Sequence, residues 1–199
     1  MFYGKRGRFK KYEDLIGKNF AKLGLSPNQW TIVSLILGFA AFYSVMTMNF
    51  IEAAVIIIIT AFLDVVDGCV ARTTGKVSKK GAYLDTIIDR YVEFLIIFGL
   101  FFVPLQGLWL PFQAWLFIYL FGAMMTTYAK SAAKEKELIK DELKGGILER
   151  AERMMILFLG IVLAAFSIQL LVYIIALLAI LSNLSAFQRI NKVWKNKKS

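Results

Sequence analysis

Four aspartates set at two helical spacings are the residues of this chain best suited to chemistry. Asp64 and Asp67 lie three apart in Phe62-Leu-Asp64-Val-Val-Asp67-Gly68-Cys-Val-Ala71-Arg72, and Asp85 and Asp89 lie four apart in Gly81-Ala-Tyr-Leu-Asp85-Thr-Ile-Ile-Asp89-Arg90. Each spacing puts its pair on one face of a helix. The polar run Thr73 to Lys80, with Gly75 inside it, predicts a short turn between the two helices, so that they are antiparallel neighbours and their acidic faces can meet. An ionised carboxylate within an apolar span costs about 2.5–3.5 kcal/mol even on the lenient insertion scale, so four converging ones need compensation. Divalent cations supply it, and an all-oxygen donor set suits two Mg²⁺ or Mn²⁺ ions. Any one aspartate alone could instead be the ion-pair partner of Arg72 or Arg90; four together on facing helices argue for metal. Gly68, Ala71 and Gly81 each lie one turn from an aspartate and leave room beside the acids for a flat group or a phosphate.

The chain contains no histidine, and Cys69 is its only cysteine. Disulfides, multi-thiolate zinc sites and all imidazole-dependent mechanisms are thereby excluded, and a general base has to be a carboxylate or a lysine. Lys and Arg number 24 against 14 Asp and Glu. The basic residues sit beside apolar runs and are not interleaved with aromatics, which points to an anionic membrane surface as partner and away from nucleic acid.

The elements that must position the aspartates follow from hydropathy. With 58% hydrophobic residues and a mean hydropathy of +0.62, the apolar mass must face lipid. Apolar runs over 27–51, 51–71, 83–104, 108–129, 154–167 and 168–188 predict an all-α polytopic membrane protein with six transmembrane helices. The basic N-terminus carries Phe9, Tyr12, Leu15, Ile16, Phe20 and Leu23 among lysines and predicts an interfacial amphipathic helix. The expected organisation is one membrane domain: interfacial helix and basic start over 1–24, six-helix bundle over 25–193, basic tail over 194–199. Every Lys and Arg falls in Lys5–Lys22, Arg72–Arg90, Lys130–Arg153 or Arg189–Lys198, which predicts a cytoplasmic location for both termini and for the acidic end of the bundle. Ser26-Pro27 predicts a capped helix start, and Trp30, Trp109 and Trp115 are expected at the membrane interfaces. Lys134 to Gly146 is expected to hold a short helix ended by Gly145-Gly146.

A second cluster is basic. Lys130 ends the fourth span, Glu149-Arg150-Ala-Glu152-Arg153 opens the fifth, and Arg189 ends the sixth. Arginines suit bidentate binding of a phosphate, and three span ends could converge on one. Simple cytoplasmic anchoring is the plainer reading of Lys130 and Arg189, and Glu149 and Glu152 could merely neutralise the arginines beside them.

Taken together, the aspartate segments resemble the CDP-alcohol phosphotransferase signature D-x-x-D-G-x-x-A-R, eight residues, G-x-x-x-D-x-x-x-D. Asp64, Asp67, Gly68, Ala71, Arg72, Gly81, Asp85 and Asp89 fill every fixed position. The resemblance implies an N-terminal interfacial helix with six spans, a homodimer in the cell membrane, metal on the aspartates, and Asp89 as general base. It also implies nucleotide contacts from Asp67, Gly68, Ala71, Arg72 and Gly81. The run Tyr128-Ala-Lys130, Ile147-Leu-Glu149-Arg150-Ala-Glu152-Arg153 and Gln188-Arg189 is similar to the inositol-phosphate-using branch, which implies acceptor-phosphate binding by Lys130, Arg150, Arg153 and Arg189. Bacterial members of that branch usually carry an arginine where this chain has Ala132. The function expected is transfer of a lipid phosphate from a CDP-lipid, with diacylglycerol or archaeol tails, to inositol 1-phosphate. Glycerol 3-phosphate is the alternative acceptor, and a cation transporter is the alternative from another class.

Overall fold

A computed structural model describes residues 3–139 and 146–195, with side chains from residue 11 onward. Its described residues form seven helices and no strand: α1 (Tyr3–Ala21), α2 (Pro27–Met46), α3 (Phe50–Thr73), α4 (Lys79–Phe101), α5 (Phe112–Glu135), α6 (Arg150–Ala164) and α7 (Ile168–Trp194). The helices follow the apolar runs, and the breaks fall at the expected punctuation. Three of them, α2, α3 and α7, are long and apolar enough to cross a membrane. Among the others, α4 carries Asp85, Asp89, Arg90 and Glu93, and α6 has only 15 residues. Large apolar side chains such as Ile36, Phe39, Ile51, Phe117 and Phe121 are exposed along the helices, as lipid-facing surface requires.

The chain divides into two compact units, Met1–Ser44 with Glu52–Ile96, and Val45–Ile51 with Ile97–Ser199. In the first, α1 lies on α2 and α3 through a cluster built on Trp30, Leu63, Val66 and Val70, against which Ile16, Phe20 and Leu25 pack. The ring of Phe20 meets Trp30 edge-on at 5.4 Å and Phe62 at 5.6 Å. Gly17 makes the approach of α1 to α3 possible, since a β-carbon there would run into the Thr73 hydroxyl and come within 2.6 Å of the Cys69 carbonyl oxygen. Trp30 is therefore buried in this cluster. Trp115 is likewise buried, whereas Trp109 is exposed.

Local chemistry sets the helix ends. Ser26 and Gln29 cap α2 reciprocally, the Ser26 N–H donating to Gln29 Oε1 at 2.7 Å and the Gln29 N–H lying 3.4 Å from Ser26 Oγ. Gly75, at φ +67°, closes α3 while the Lys76 N–H returns to the Ala71 carbonyl at 2.9 Å. Ser78 then caps α4, its hydroxyl accepting the Gly81 N–H at 3.0 Å. The aspartate helices are thus joined by a turn short enough to make them antiparallel neighbours.

In the second unit, α5 and α7 approach closely where Gly122 faces Asn183, whose Nδ2 donates to the Ile118 and Ala179 carbonyls at 2.9 and 2.8 Å. The tight turn Ala165–Ser167 folds α7 back on α6, and Gly160 packs against Ile174. The segment before α6 is tied to α7 by two backbone donors, Ile147 N–H to Gln188 Oε1 and Leu148 N–H to Ser185 Oγ, both 2.9 Å. Of the short helix expected over Lys134 to Gly146, Lys134 and Glu135 are the end of α5 and the chain then turns at Lys136 and Glu137 (φ +56°) without forming a helix up to residue 139; residues 140–145 lie outside the described residues.

Candidate active site

The acidic end of α3 and the start of α4 build one site in the first unit. Asp64, Asp67 and Asp85 each offer a carboxylate oxygen within 4.8 Å of the other two. The i,i+3 spacing on α3 and the capped antiparallel return of α4 bring them together. Asp67 is buried, 7% exposed, and accepts a 2.7 Å hydrogen bond at Oδ2 from the Thr31 hydroxyl of α2. Asp64 and Asp85 are partly buried. Three hard oxygen donors at this separation fit a divalent cation of the Mg²⁺ or Mn²⁺ kind, and the one thiol nearby, Cys69, is buried against the Arg72 guanidinium at 3.5 Å and outside that donor set.

Asp89 is not part of this group of three. It lies one turn further along α4, partly buried, with Oδ2 3.7 Å from Arg90 Nη1. The expectation of four metal-ligating aspartates is matched in geometry for three.

A cavity of about 270 Å³ opens beside the carboxylates, lined by Asp67, Gly68, Ala71, Arg72, Gly81 and Asp85. All five residues expected to contact the nucleotide therefore line one space. Arg72 reaches it across Gly68, with Nη1 only 3.2 Å from where a Gly68 β-carbon would stand. The guanidinium is anchored from α1 by Glu13, at 3.5 Å, and no aspartate is needed for its charge balance. Gly81 fits between Ser78 Oγ and Asn28 Oδ1, which a β-carbon would meet at 3.1 and 3.2 Å.

Several lining residues escaped the sequence reading. Asn28 and Thr31 enter from the first turn of α2, and Lys76, Ser78 and Ala82 from the α3–α4 connection and the start of α4. Only Lys76 and Ser78 had a signal, as polar residues inside the turn. Glu93, 2% exposed, was also missed; it lies four residues beyond Asp89 and continues the Asp85–Asp89 face of α4.

The basic cluster lies in the second unit. Arg153 and Arg189 are 1% and 8% exposed and meet at a single residue, Thr126 of α5. Nη1 of Arg153 donates to Thr126 Oγ1 at 3.1 Å, and Nη1 of Arg189 to the Thr126 carbonyl at 2.8 Å. Lys130 lies one turn beyond Thr126, partly buried, and Arg150 begins α6, three residues before Arg153. The Glu152 carboxylate accepts the Glu149 N–H at 2.8 Å and so caps α6, a task separate from neutralising arginine. Burying two guanidiniums around one residue makes a strongly anion-attracting environment.

Known proteins are similar to this chain in sequence and fold. The chain is 37% identical over 192 residues to the archaetidylinositol phosphate synthase of Pyrococcus horikoshii, covering 96% of this chain and 95% of that one. It is 31% identical over 156 residues to the phosphatidylinositol phosphate synthase of Corynebacterium glutamicum, covering 73% and 67%. Its fold superposes on the crystal structure of Mycobacterium tuberculosis phosphatidylinositol phosphate synthase in complex with manganese and citrate, with a TM-score of 0.83 at 25% identity and coverage of 92% and 89%. A family model described as CDP-alcohol phosphatidyltransferase matches residues 24–184, the stretch that carries the carboxylate site, its cavity and most of the basic cluster, and the chain belongs to that family of enzymes.

Proposed function

We propose that the protein transfers the lipid phosphate of a CDP-activated lipid to inositol 1-phosphate and releases CMP. The observation that carries this reading is a cavity lined by Asp67 and Asp85 of the three-carboxylate cluster together with small residues and Arg72. A nucleoside diphosphate group needs room beside small residues and cations for its pyrophosphate, and the cavity offers Gly68, Ala71 and Gly81 for the first and carboxylates that would hold the second. Asp67, Gly68, Ala71, Arg72 and Gly81 hold the CDP group, with Asn28 and Lys76 beside them.

Two divalent cations, Mg²⁺ or Mn²⁺, held by Asp64, Asp67 and Asp85, would neutralise the pyrophosphate and make CMP a competent leaving group. Asp89 takes the proton of the acceptor hydroxyl as its oxygen attacks the lipid-side phosphorus and the phosphorus–oxygen bond to CMP breaks. Its place outside the three-carboxylate group supports that separate role. Lys130, Arg150, Arg153 and Arg189 bind the phosphate of the acceptor, and the buried Arg153–Thr126–Arg189 arrangement supports a phosphorylated alcohol over a neutral one.

The same reading has α2 to α7 crossing the cell membrane six times and α1 lying in the interface, with both termini and the site on the cytoplasmic side. Charge segregation and the exposed apolar side chains support it. The family match runs across both compact units, which supports one functional domain, and the resemblance supports a homodimer. The test is CMP release from CDP-diacylglycerol or CDP-archaeol with inositol 1-phosphate, free inositol, glycerol 3-phosphate or serine as acceptor. Turnover with inositol 1-phosphate alone is expected; turnover with glycerol 3-phosphate and none with inositol 1-phosphate refutes the acceptor assignment.

A further inference from the structure

We infer that Thr126 is a positioning residue of the acceptor pocket, which sets the orientation of Arg153 from α6 and Arg189 from α7 so that both guanidiniums address one phosphomonoester. The inference rests on the proposed reading of that pocket and adds a residue that carries no charge and belongs to no motif.

The polarity of the bonds makes the case. Thr126 is 1% exposed, and its hydroxyl donates its one proton to the Ala123 carbonyl at 2.7 Å. With the proton committed there, Oγ1 can only accept from its other side, which is what an arginine N–H requires. Arg153 Nη1 meets it at 3.1 Å. The carbonyl of the same residue has a second lone pair beyond the one used along the helix, and Arg189 Nη1 takes it at 2.8 Å. A guanidinium is planar, with its N–H groups in a fixed fork, so a bond at Nη1 restricts the directions in which the rest can point. Two long side chains from different helices are thereby indexed to one turn of α5. A buried pair of like charges is held in place before any ligand arrives, and an anion binds more tightly to such a pair because the ordering is already done.

The two contacts differ in what mutation can remove. The carbonyl survives any side-chain change, so substitution at Thr126 acts on Arg153 alone. Thr126→Val keeps shape and deletes the acceptor oxygen; Thr126→Ser keeps the oxygen. Bonds to charged groups are among the stronger hydrogen bonds, so Thr126→Val should raise the Michaelis constant for inositol 1-phosphate about tenfold. The inhibition constant of inorganic phosphate should rise in parallel, while the Michaelis constant for CDP-lipid stays as in the wild type and Thr126→Ser behaves as the wild type. Thr126→Ala serves if Thr126→Val does not reach the membrane folded. In an Arg153→Ala background, Thr126→Val should add nothing further, because its effect passes through that arginine. Equal losses for donor and acceptor, or effects that add to those of Arg153→Ala, would make Thr126 a packing residue and overturn the inference. If Arg153→Ala itself leaves acceptor and phosphate constants unchanged, the pocket reading falls and the inference with it; if Arg153→Ala raises them and Thr126→Val does not, only the inference falls.

Discussion

The hydroxyl of Thr31 donates a 2.7 Å hydrogen bond to Oδ2 of Asp67, and both side chains are buried. The bond fixes the rotation of a carboxylate that belongs to the three-oxygen cluster and also lines the cavity. Partners that orient metal ligands in this way typically change metal affinity by about 10–100-fold when removed. Thr31→Val should therefore weaken Mn²⁺ binding by at least the lower figure, and Thr31→Ser should not; Mn²⁺ titration followed by electron paramagnetic resonance measures it without reference to turnover.

Removal of metal with EDTA should abolish CMP release, and Mg²⁺ or Mn²⁺ should restore it. Asp64→Asn, Asp67→Asn and Asp85→Asn should each cost about a hundredfold or more in kcat/KM, since metal stabilisation of the transition state amounts to several kcal/mol. Asp89→Asn should differ from these three by keeping Mn²⁺ affinity while kcat falls about 10²–10⁴-fold, the range of a lost general base. Loss of metal binding in Asp89→Asn would make it a ligand first.

Gly68→Ala tests the wall of the cavity. The added carbon would stand 3.2 Å from Arg72 Nη1, and the guanidinium has to give way, pulling against its contact with Glu13. The Michaelis constant for CDP-lipid should rise severalfold and that for the acceptor stay unchanged; the reverse pattern would separate Arg72 from the donor.

The proposed six crossings would put the α4–α5 connection and the end of α7 on opposite faces of the membrane. In a Cys69→Ala background, Gln106→Cys should react with an impermeant maleimide in intact cells and Lys195→Cys only after permeabilisation. Equal reactivity of the two would refute the three crossings by α5, α6 and α7 that separate them.

Much of this architecture was legible in the residues. The helices follow the apolar runs because a chain in lipid has few other ways to pair its backbone, and their ends follow Ser26-Pro27, Gly75 and Ser78 because those residues supply caps that helices need. Asp64, Asp67 and Asp85 were legible as a cluster because helical spacing and a short turn leave two acidic faces together. The partners of that cluster were not. A threonine on an apolar helix ordinarily bonds the carbonyl one turn back, and Thr31 does lie 3.1 Å from the Pro27 carbonyl; only the approach of α3 gives it Asp67 as well. Thr126 is hidden for the same reason, since what marks it is the arrival of two arginines 27 and 63 residues further along. The burial of Trp30 and Trp115 was not legible either, because an aromatic near a helix end suits a solvent-facing position and a packed cluster equally well, and only tertiary contacts choose.

The notch at Gly17 acts as an index mark for the whole first helix. Backbone meets side chain and carbonyl so closely there that no residue with a β-carbon can occupy the crossing over Thr73 and Cys69, and sliding α1 by one position would present Ile16 or Lys18 to a gap without space for one. A one-residue insertion between Glu13 and Gly17 would turn the preceding part of the helix by about 100° and carry Glu13 off the face that reaches Arg72. The length of chain from Glu13 to Gly17 is in this sense a ruler, and the cavity beside Arg72 inherits its tolerance from a residue that has no side chain to touch it.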